Sequence, residues 1–173
     1  MILRDATPAD AGALARIYGH HVREGLGTFE EEPPSGAEMA GRLAEVRGRG
    51  LPWLVAEIED EVAGYAYASP FRLRAAYRYV VEDSVYVAPD RQGAGAGRTL
   101  LAALIARGEA LGLRQMIAII GDSANAGSIH LHRALGFTLI GTAPAVGWKH
   151  DRWVDVVWMQ RPLGPGADRV PEP

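Results

Sequence analysis

The stretch Gln92-Gly93-Ala94-Gly95-Ala96-Gly97 constrains this chain more than any other. Its glycines alternate with small residues. They lie between a β-rich run, Tyr79–Val87, and a run in which Leu100, Leu101, Leu104, Ile105 and Leu111 recur at helical spacing until Gly112. A glycine-rich turn from strand to helix lets the backbone approach a ligand closely. It also aims successive amides at one point near the positive helix end, where a phosphate or pyrophosphate is the natural guest. A tight connection without a ligand is the competing reading of such a cluster.

The remaining patterns alternate. Ile2–Arg4 fits a short strand. Thr7 suits a helix N-cap and Pro8 the first helical position; Ala11, Leu14, Ile17 and Tyr18 follow at helical spacing until Gly25 and Gly27. After a polar loop, Phe29–Pro34, Ser35 caps a second helix reaching about Arg47, with Met39 and Leu43 on one face. Trp53–Ile58 and Val62–Ser69 read as a strand pair around Glu59-Asp60-Glu61, followed by a basic, aromatic loop, Pro70–Tyr77. Met116–Ile120 is wholly apolar, as in a strand covered on both faces. Asn125–Leu135 reads as a helix stopped by Gly136, and Phe137–Ala143 and Trp153–Gln160 as the last strands. This order predicts one α/β (α+β) domain over 1–163, a mixed central β-sheet flanked by helices. The Pro/Gly-rich end, 164–173, is expected to be a flexible tail.

Composition removes several functions. With 18 Lys and Arg against 21 Asp and Glu, the chain lacks the basic excess of a broad nucleic-acid surface. No cysteine is present, which excludes disulfides, thiolate metal sites and a cysteine nucleophile. Arg4 and Asp5 interrupt the N-terminal apolar residues, and no run approaches the roughly 18 apolar residues of a membrane span. A cytoplasmic protein with no membrane partner is expected. His130 and His132 are two apart and face different sides of a helix, and His20-His21 lack a suitably spaced acid, so no metal site is expected.

Three phosphate-loop patterns bear on the glycine turn. Gly97-Arg98-Thr99 imitates the end of a P-loop, but Arg98 replaces its lysine and Gln92 its first glycine. A dinucleotide fingerprint needs a glycine where Arg98 stands. The third pattern, Gln/Arg-x-x-Gly-x-Gly/Ala, is met by Gln92, Gly95 and Gly97. It resembles the coenzyme A pyrophosphate loop of GNAT-type N-acetyltransferases. Asn125-Ala-Gly-Ser128 with Leu131-His-Arg-Ala-Leu-Gly-Phe137 resembles that family's second motif. Val81-Glu82-Asp83-Ser84-Val85-Tyr86-Val87, Phe71-Arg72-Leu73-Arg74, and Gly147-Trp148-Lys149-His150 with Trp153 and Asp155 are most similar to the phosphinothricin and methionine sulfoximine acetyltransferases. The likeness extends from about Ile2 to Arg161.

The resemblance implies that acetyl-CoA is the cosubstrate. Its pyrophosphate would meet the amides from Gly93 through Ala94, Gly95, Ala96 and Gly97 to Arg98. Its pantetheine arm would run along Val85, Tyr86 and Val87, with Asn125 and Ser128 near the thiol end. Many relatives carry Lys or Arg where this chain has Ala94; Arg98 is the candidate substitute charge, with Arg91 as a second option. Glu82 lies where the family's proposed general base lies, although an isolated strand glutamate is more often exposed. His132 replaces the usual tyrosine; an imidazole there can protonate the leaving thiolate or assist in deprotonating the amine, and it is expected to act as acid or as a polar positioning group, with a helix-face histidine holding a neighbouring side chain as the alternative.

Arg72 and Arg74 suit the carboxylate of an amino-acid acceptor, although loop arginines are usually just solvated. The resemblance implies an acceptor pocket of Arg72, Leu73, Arg74, Glu82, Asp83 and Ser84, with Phe29, Glu30, Trp148 and Lys149 behind it. The implied acceptor is a small amino-acid-like amine such as phosphinothricin, methionine sulfoximine or methionine sulfone, and the implied role is detoxification. The alternatives are another amine (a protein N-terminus, polyamine or antibiotic) or a non-catalytic coenzyme A module. A homodimer is expected on resemblance.

Overall fold

The computed structural model describes residues 1–171; Glu172 and Pro173, the end of the expected tail, lie outside the described residues. Seven strands and four helices follow in the order β1 (Ile2–Asp5), α1 (Ala11–Glu24), α2 (Gly36–Gly48), β2 (Trp53–Ile58), β3 (Glu61–Pro70), β4 (Val80–Val87), α3 (Ala96–Ala110), β5 (Gln115–Gly121), α4 (Ala126–Ala134), β6 (Thr138–Lys149) and β7 (Arg152–Pro162). The strands form one sheet in the order β1-β2-β3-β4-β5-β7-β6. Only β4 and β5 pair in parallel, because α3 crosses over between them; every other neighbour is antiparallel.

The helix starts follow from local chemistry. Ser35 and Glu38 form a reciprocal capping box, with the Ser35 amide on Glu38 at 2.6 Å and the Glu38 amide on Ser35 Oγ at 3.2 Å. Thr7 begins a single 3-10 turn, Pro8–Asp10, that leads into α1. The Asp10 carboxylate accepts from Arg4 at 2.7 Å and from the Thr7 amide at 2.7 Å, and the hydrogen bond from Arg4 holds its pKa down to about 2.

Two apolar layers sandwich the sheet. Leu100, Leu101 and Leu104 of α3 pack with Met116, Met159 and Leu163 on one face. Leu14 and Ile17 of α1 and Met39 and Leu43 of α2 cover Val55 and Tyr65 on the other. Each fully buried side chain of this size contributes about 1.5–3 kcal/mol of transfer free energy. Leu163 ends the core, and the chain then turns, with the Gly166 amide on the Leu163 carbonyl at 2.9 Å.

The last hairpin departs from expectation. β6 and β7 extend to a turn at His150-Asp151, both with positive φ, instead of leaving 144–152 as loop. β6 is the outermost strand, where Pro144 removes no needed ladder bond, and the register shifts between Ala143 and Gly147.

One defect in the sheet positions the site. The β4–β5 pairing runs from Val80↔Gln115 to Asp83↔Ala118 and stops there. β5 stays paired to β7 as far as Gly121, and β4 stays paired to β3 as far as Val87. The two parallel strands therefore splay after Asp83.

Candidate active site

The splay opens a cleft of about 760 Å³. One wall is Glu82, Asp83, Ser84, Val85, Tyr86 and Val87; the other is Ala118–Gly121. Gln92, Gly93, Gly95, Ala96, Gly97 and Arg98 close one end, and Asn125, Ser128, Leu131 and His132 of the α4 region line the side. Gly27, Thr28 and Phe29 border it from the α1–α2 connection. The glycine turn and the candidate centre of chemistry thus share one cavity.

The turn is shaped by torsion rather than by crowding. Gly93 and Gly95 have φ of 80° and 83°, and a Cβ at either would meet nothing within 4 Å. Gly95 is the N-cap of α3 and brings no capping side chain, so the first-turn amides are left for a ligand. Ala94 is exposed and outside the lining. The two candidate cations separate. Arg98 lines the cleft, whereas Arg91 is drawn to the β2–β3 turn by Glu59 at 2.9 Å and Glu61 at 3.6 Å. Arg91 thus lies outside the cleft lining, paired with the acids of the β2–β3 turn. Beyond Asp83, β4 has no strand partner on the β5 side, so its backbone edge can pair with an extended arm. The Val87 carbonyl already accepts from His21 Nε2 at 2.9 Å. Asn125 caps α4 by accepting the Ser128 amide at 3.2 Å.

Glu82 and Asp83 stand at the apex of the splay and, as strand neighbours, face opposite sides of the sheet. Glu82 is half-buried, and its carboxylate accepts no hydrogen bond from the described residues. Burial raises its pKa above the ordinary value of 4.5, Asp83 raises it further, and the charge of Arg72 opposes both. It lines the cavity with a carboxylate that has no hydrogen-bond partner among the described residues.

Asp83 and His132 are both buried and paired, His132 Nε2 to Asp83 Oδ2 at 3.0 Å. His132 Nδ1 lies 2.7 Å from the Ser128 carbonyl, an obligate acceptor, so Nδ1 carries a proton. Burial alone would lower the His132 pKa; the hydrogen bond and charge of Asp83, with the Ser128 carbonyl, outweigh it and the pKa is raised. Both ring nitrogens are engaged. His132 thus holds a neighbouring side chain, Asp83, in an arrangement compatible with both the positioning role and the structural alternative.

The acceptor-side candidates divide. Phe29, Glu82, Asp83 and Ser84 line the cleft. Arg72, Leu73 and Arg74 are exposed outside its lining, with the Arg72 guanidinium 4.4 Å over the Phe71 ring. Trp148 is exposed against Trp153, with ring centroids 5.2 Å apart. Glu30 pairs with Arg42 at 2.7 Å. Lys149 is buried, with Nζ donating to the Thr28 carbonyl at 2.8 Å. Tyr18, His21 and Tyr67 also line the cleft. Sequence periodicity assigns Tyr18 to a helix core, and no local signal marks the other two. Among the described residues no group of three His, Cys, Asp or Glu could hold a metal ion, and no helix is long and apolar enough to cross a membrane.

The profile of the acetyltransferase (GNAT) family matches residues 16–137. The chain belongs to this family. Its mixed seven-stranded sheet with four helices is the GNAT fold, as the sequence motifs imply. The chain is 53% identical over 163 residues to a phosphinothricin N-acetyltransferase of Alcaligenes faecalis, covering 94% of this chain and 83% of that one. It is 43% identical over 167 residues to an L-methionine sulfoximine/L-methionine sulfone acetyltransferase of Pseudomonas aeruginosa, covering 94% and 95%. A GNAT superfamily phosphinothricin acetyltransferase from Sinorhizobium meliloti, solved in complex with acetyl-CoA, superposes with a TM-score of 0.96 at 52% identity over 99% of this chain and 92% of that one.

Proposed function

We propose that the protein transfers acetyl from acetyl-CoA directly to the α-amine of a small amino-acid analogue of the phosphinothricin, methionine sulfoximine or methionine sulfone type. One observation carries the acetyl-transfer reading: a free-amide glycine cradle and an unpartnered glutamate lie on one cleft, joined by an unpaired strand edge. The acceptor class rests on the activities of the relatives.

Acetyl-CoA, when bound, supplies an activated thioester. The first-turn amides of α3 and the Arg98 guanidinium suit its pyrophosphate, and the edge of Val85–Val87 suits amides of an extended arm. Glu82 takes the proton that the acceptor ammonium must lose before its nitrogen can attack. Its raised pKa suits that task. The Asp83–His132 pair ties α4 to β4 where the strands part. No cysteine exists to carry an acetyl group, so the direct transfer passes through no acetyl-cysteine intermediate.

In this reading the enzyme works in the cytoplasm, detoxifies inhibitors of amino-acid metabolism, and needs no nucleic-acid or membrane partner. A homodimer is supported by the outer β6–β7 hairpin, where Leu139, Ile140, Val146, Trp148 and Trp153 are each more than half exposed. Light scattering at micromolar concentration tests it; a monomer would refute it. The function is tested by coenzyme A release over phosphinothricin, methionine sulfoximine, methionine sulfone, the common amino acids, spermidine and an N-terminal peptide. The three analogues are expected to be the preferred acceptors. Preference for the peptide or spermidine would overturn the acceptor class, and acetyl-CoA binding without turnover would overturn catalysis.

A further inference from the structure

Lys149 ends β6, one residue before the His150-Asp151 turn, yet it is only 3% exposed. Placing an ammonium there is unfavourable unless it is hydrogen-bonded. Its one hydrogen bond among the described residues is to the Thr28 carbonyl, 121 residues away, at 2.8 Å. Thr28 is itself buried, and its hydroxyl lies 2.7 Å from the Tyr18 hydroxyl on α1. The next residue, Phe29, rests on Gly147, two positions before the lysine: a Cβ there would lie 2.4 Å from the Phe29 ring. The hairpin thus grips the α1–α2 connection twice, by a charge on a carbonyl and by a missing side chain under a ring.

Tyr18, His21, Gly27, Thr28 and Phe29 are the cleft lining that comes from α1 and its following loop. Tyr18 belongs to the layer by which α1 and α2 cover one face of the sheet, and Thr28 is tied to it through the Tyr18 hydroxyl. Strand alternation puts Glu82 on that same face, because its neighbour Asp83 turns to α4. The Asp83–His132 pair and the glycine turn lie with α3 and α4. The gripped segment is therefore a wall on the base side of the cleft and not part of the phosphate cradle.

We propose that Lys149 is a positioning residue: it does not touch the acceptor but fixes the Thr28–Phe29 wall against which the acceptor is held before Glu82. The proposal rests on the acetyl-transfer reading above. It makes the β6–β7 hairpin, remote in sequence from α1, a determinant of acceptor selection.

Lys149→Met keeps the length of the chain and removes the charge. It is expected to raise the acceptor KM by about tenfold or more while leaving the acetyl-CoA KM within about twofold. Amide hydrogen exchange at Thr28–Glu30 should rise about tenfold or more, with no change at Gly93–Arg98. Gly147→Ala disturbs the same wall without touching the lysine and should give the same split, so a failure of Lys149→Met to fold leaves a decisive second variant. An unchanged acceptor KM in either folded variant, or a rise in both KM values together, would overturn the positioning role. If the wild type turns over no acceptor, the acetyl-transfer reading fails, and the exchange measurement still decides the clamp: unchanged exchange at Thr28–Glu30 in Lys149→Met would refute it.

Discussion

Replacing Gly95 by alanine isolates the geometry of the phosphate cradle. Gly95 has φ 83° and ψ −2°, and its absent Cβ would meet nothing within 4 Å, so the only penalty is conformational. An L-residue in that region costs about 1–2 kcal/mol. The penalty can be met in two ways. A rigid turn would keep its conformation and pass the cost to the fold, lowering Tm by about 2–4 °C per kcal/mol at this chain length. A turn free to relax would keep Tm and pass the cost to ligand binding, since binding must restore the strained torsion. Gln92–Gly95 is exposed, and its amides have no backbone partners beyond the helix, so the second outcome is expected. Acetyl-CoA affinity measured by titration calorimetry should fall by about 5- to 30-fold, the equivalent of about 1–2 kcal/mol, with Tm within about 2 °C. Gly41→Ala in α2, also in open space and with no positive φ, is the control: a few degrees at most of extra stability and no change in affinity. Affinity within about twofold of wild type for Gly95→Ala, with Tm also unchanged, would refute the claim that these amides form the cradle, because the torsional cost would then appear nowhere.

Three further outcomes follow from the same geometry. Arg98→Ala should weaken acetyl-CoA binding by about fivefold and reduce its salt dependence, roughly 1 kcal/mol for an exposed charge, whereas Arg91→Ala should not, because Arg91 is committed to Glu59 and Glu61. Glu82→Gln should raise Tm at pH 8. A carboxyl whose pKa is raised on folding destabilises the fold once it ionises, so the gain should vanish below its ordinary pKa of 4.5. For Asp83→Asn the sign is opposite: the raised His132 pKa means the pair's charge contribution is full below the ordinary value of 6.5 and lost as pH rises through the folded value. The variant should therefore lose more stability at pH 6 than at pH 9 in denaturant titrations, by up to about 3–5 kcal/mol for a broken buried pair; equal losses would remove the ion pair from the account.

Much of the architecture was legible because its signals are local. The caps at Thr7 and Ser35, the helical spacing after Gly97 and the apolar run at Met116–Ile120 each state their element within a few residues. The glycine turn was legible for the same reason. What escaped depends on contacts between distant segments. His132 reads as acid, positioning group or structural histidine alike until Asp83, 49 residues earlier, is placed 3.0 Å away. Arg91 reads as a free cation until the acids of the β2–β3 turn fold over it. Lys149 reads as a pocket charge until burial against Thr28 turns it inward. The expected strand stops at Ala143, and the edge position of β6 and its register shift explain why it continues through Pro144 and Gly147.

The central claim is that Glu82, at the point where β4 and β5 part, removes the proton from the acceptor amine. It is tested by initial rates of coenzyme A release for wild type and Glu82→Gln between pH 5 and 10 with the best acceptor, the N-acetyl product being identified by mass. The wild type should show a rising limb in kcat/KM set by a carboxylate titrating above its ordinary 4.5, in addition to the limb of the acceptor amine itself. The variant should lose that limb and about 10²–10³-fold in kcat, with acetyl-CoA affinity unchanged. A variant that retains wild-type rates and the same pH profile would contradict the account.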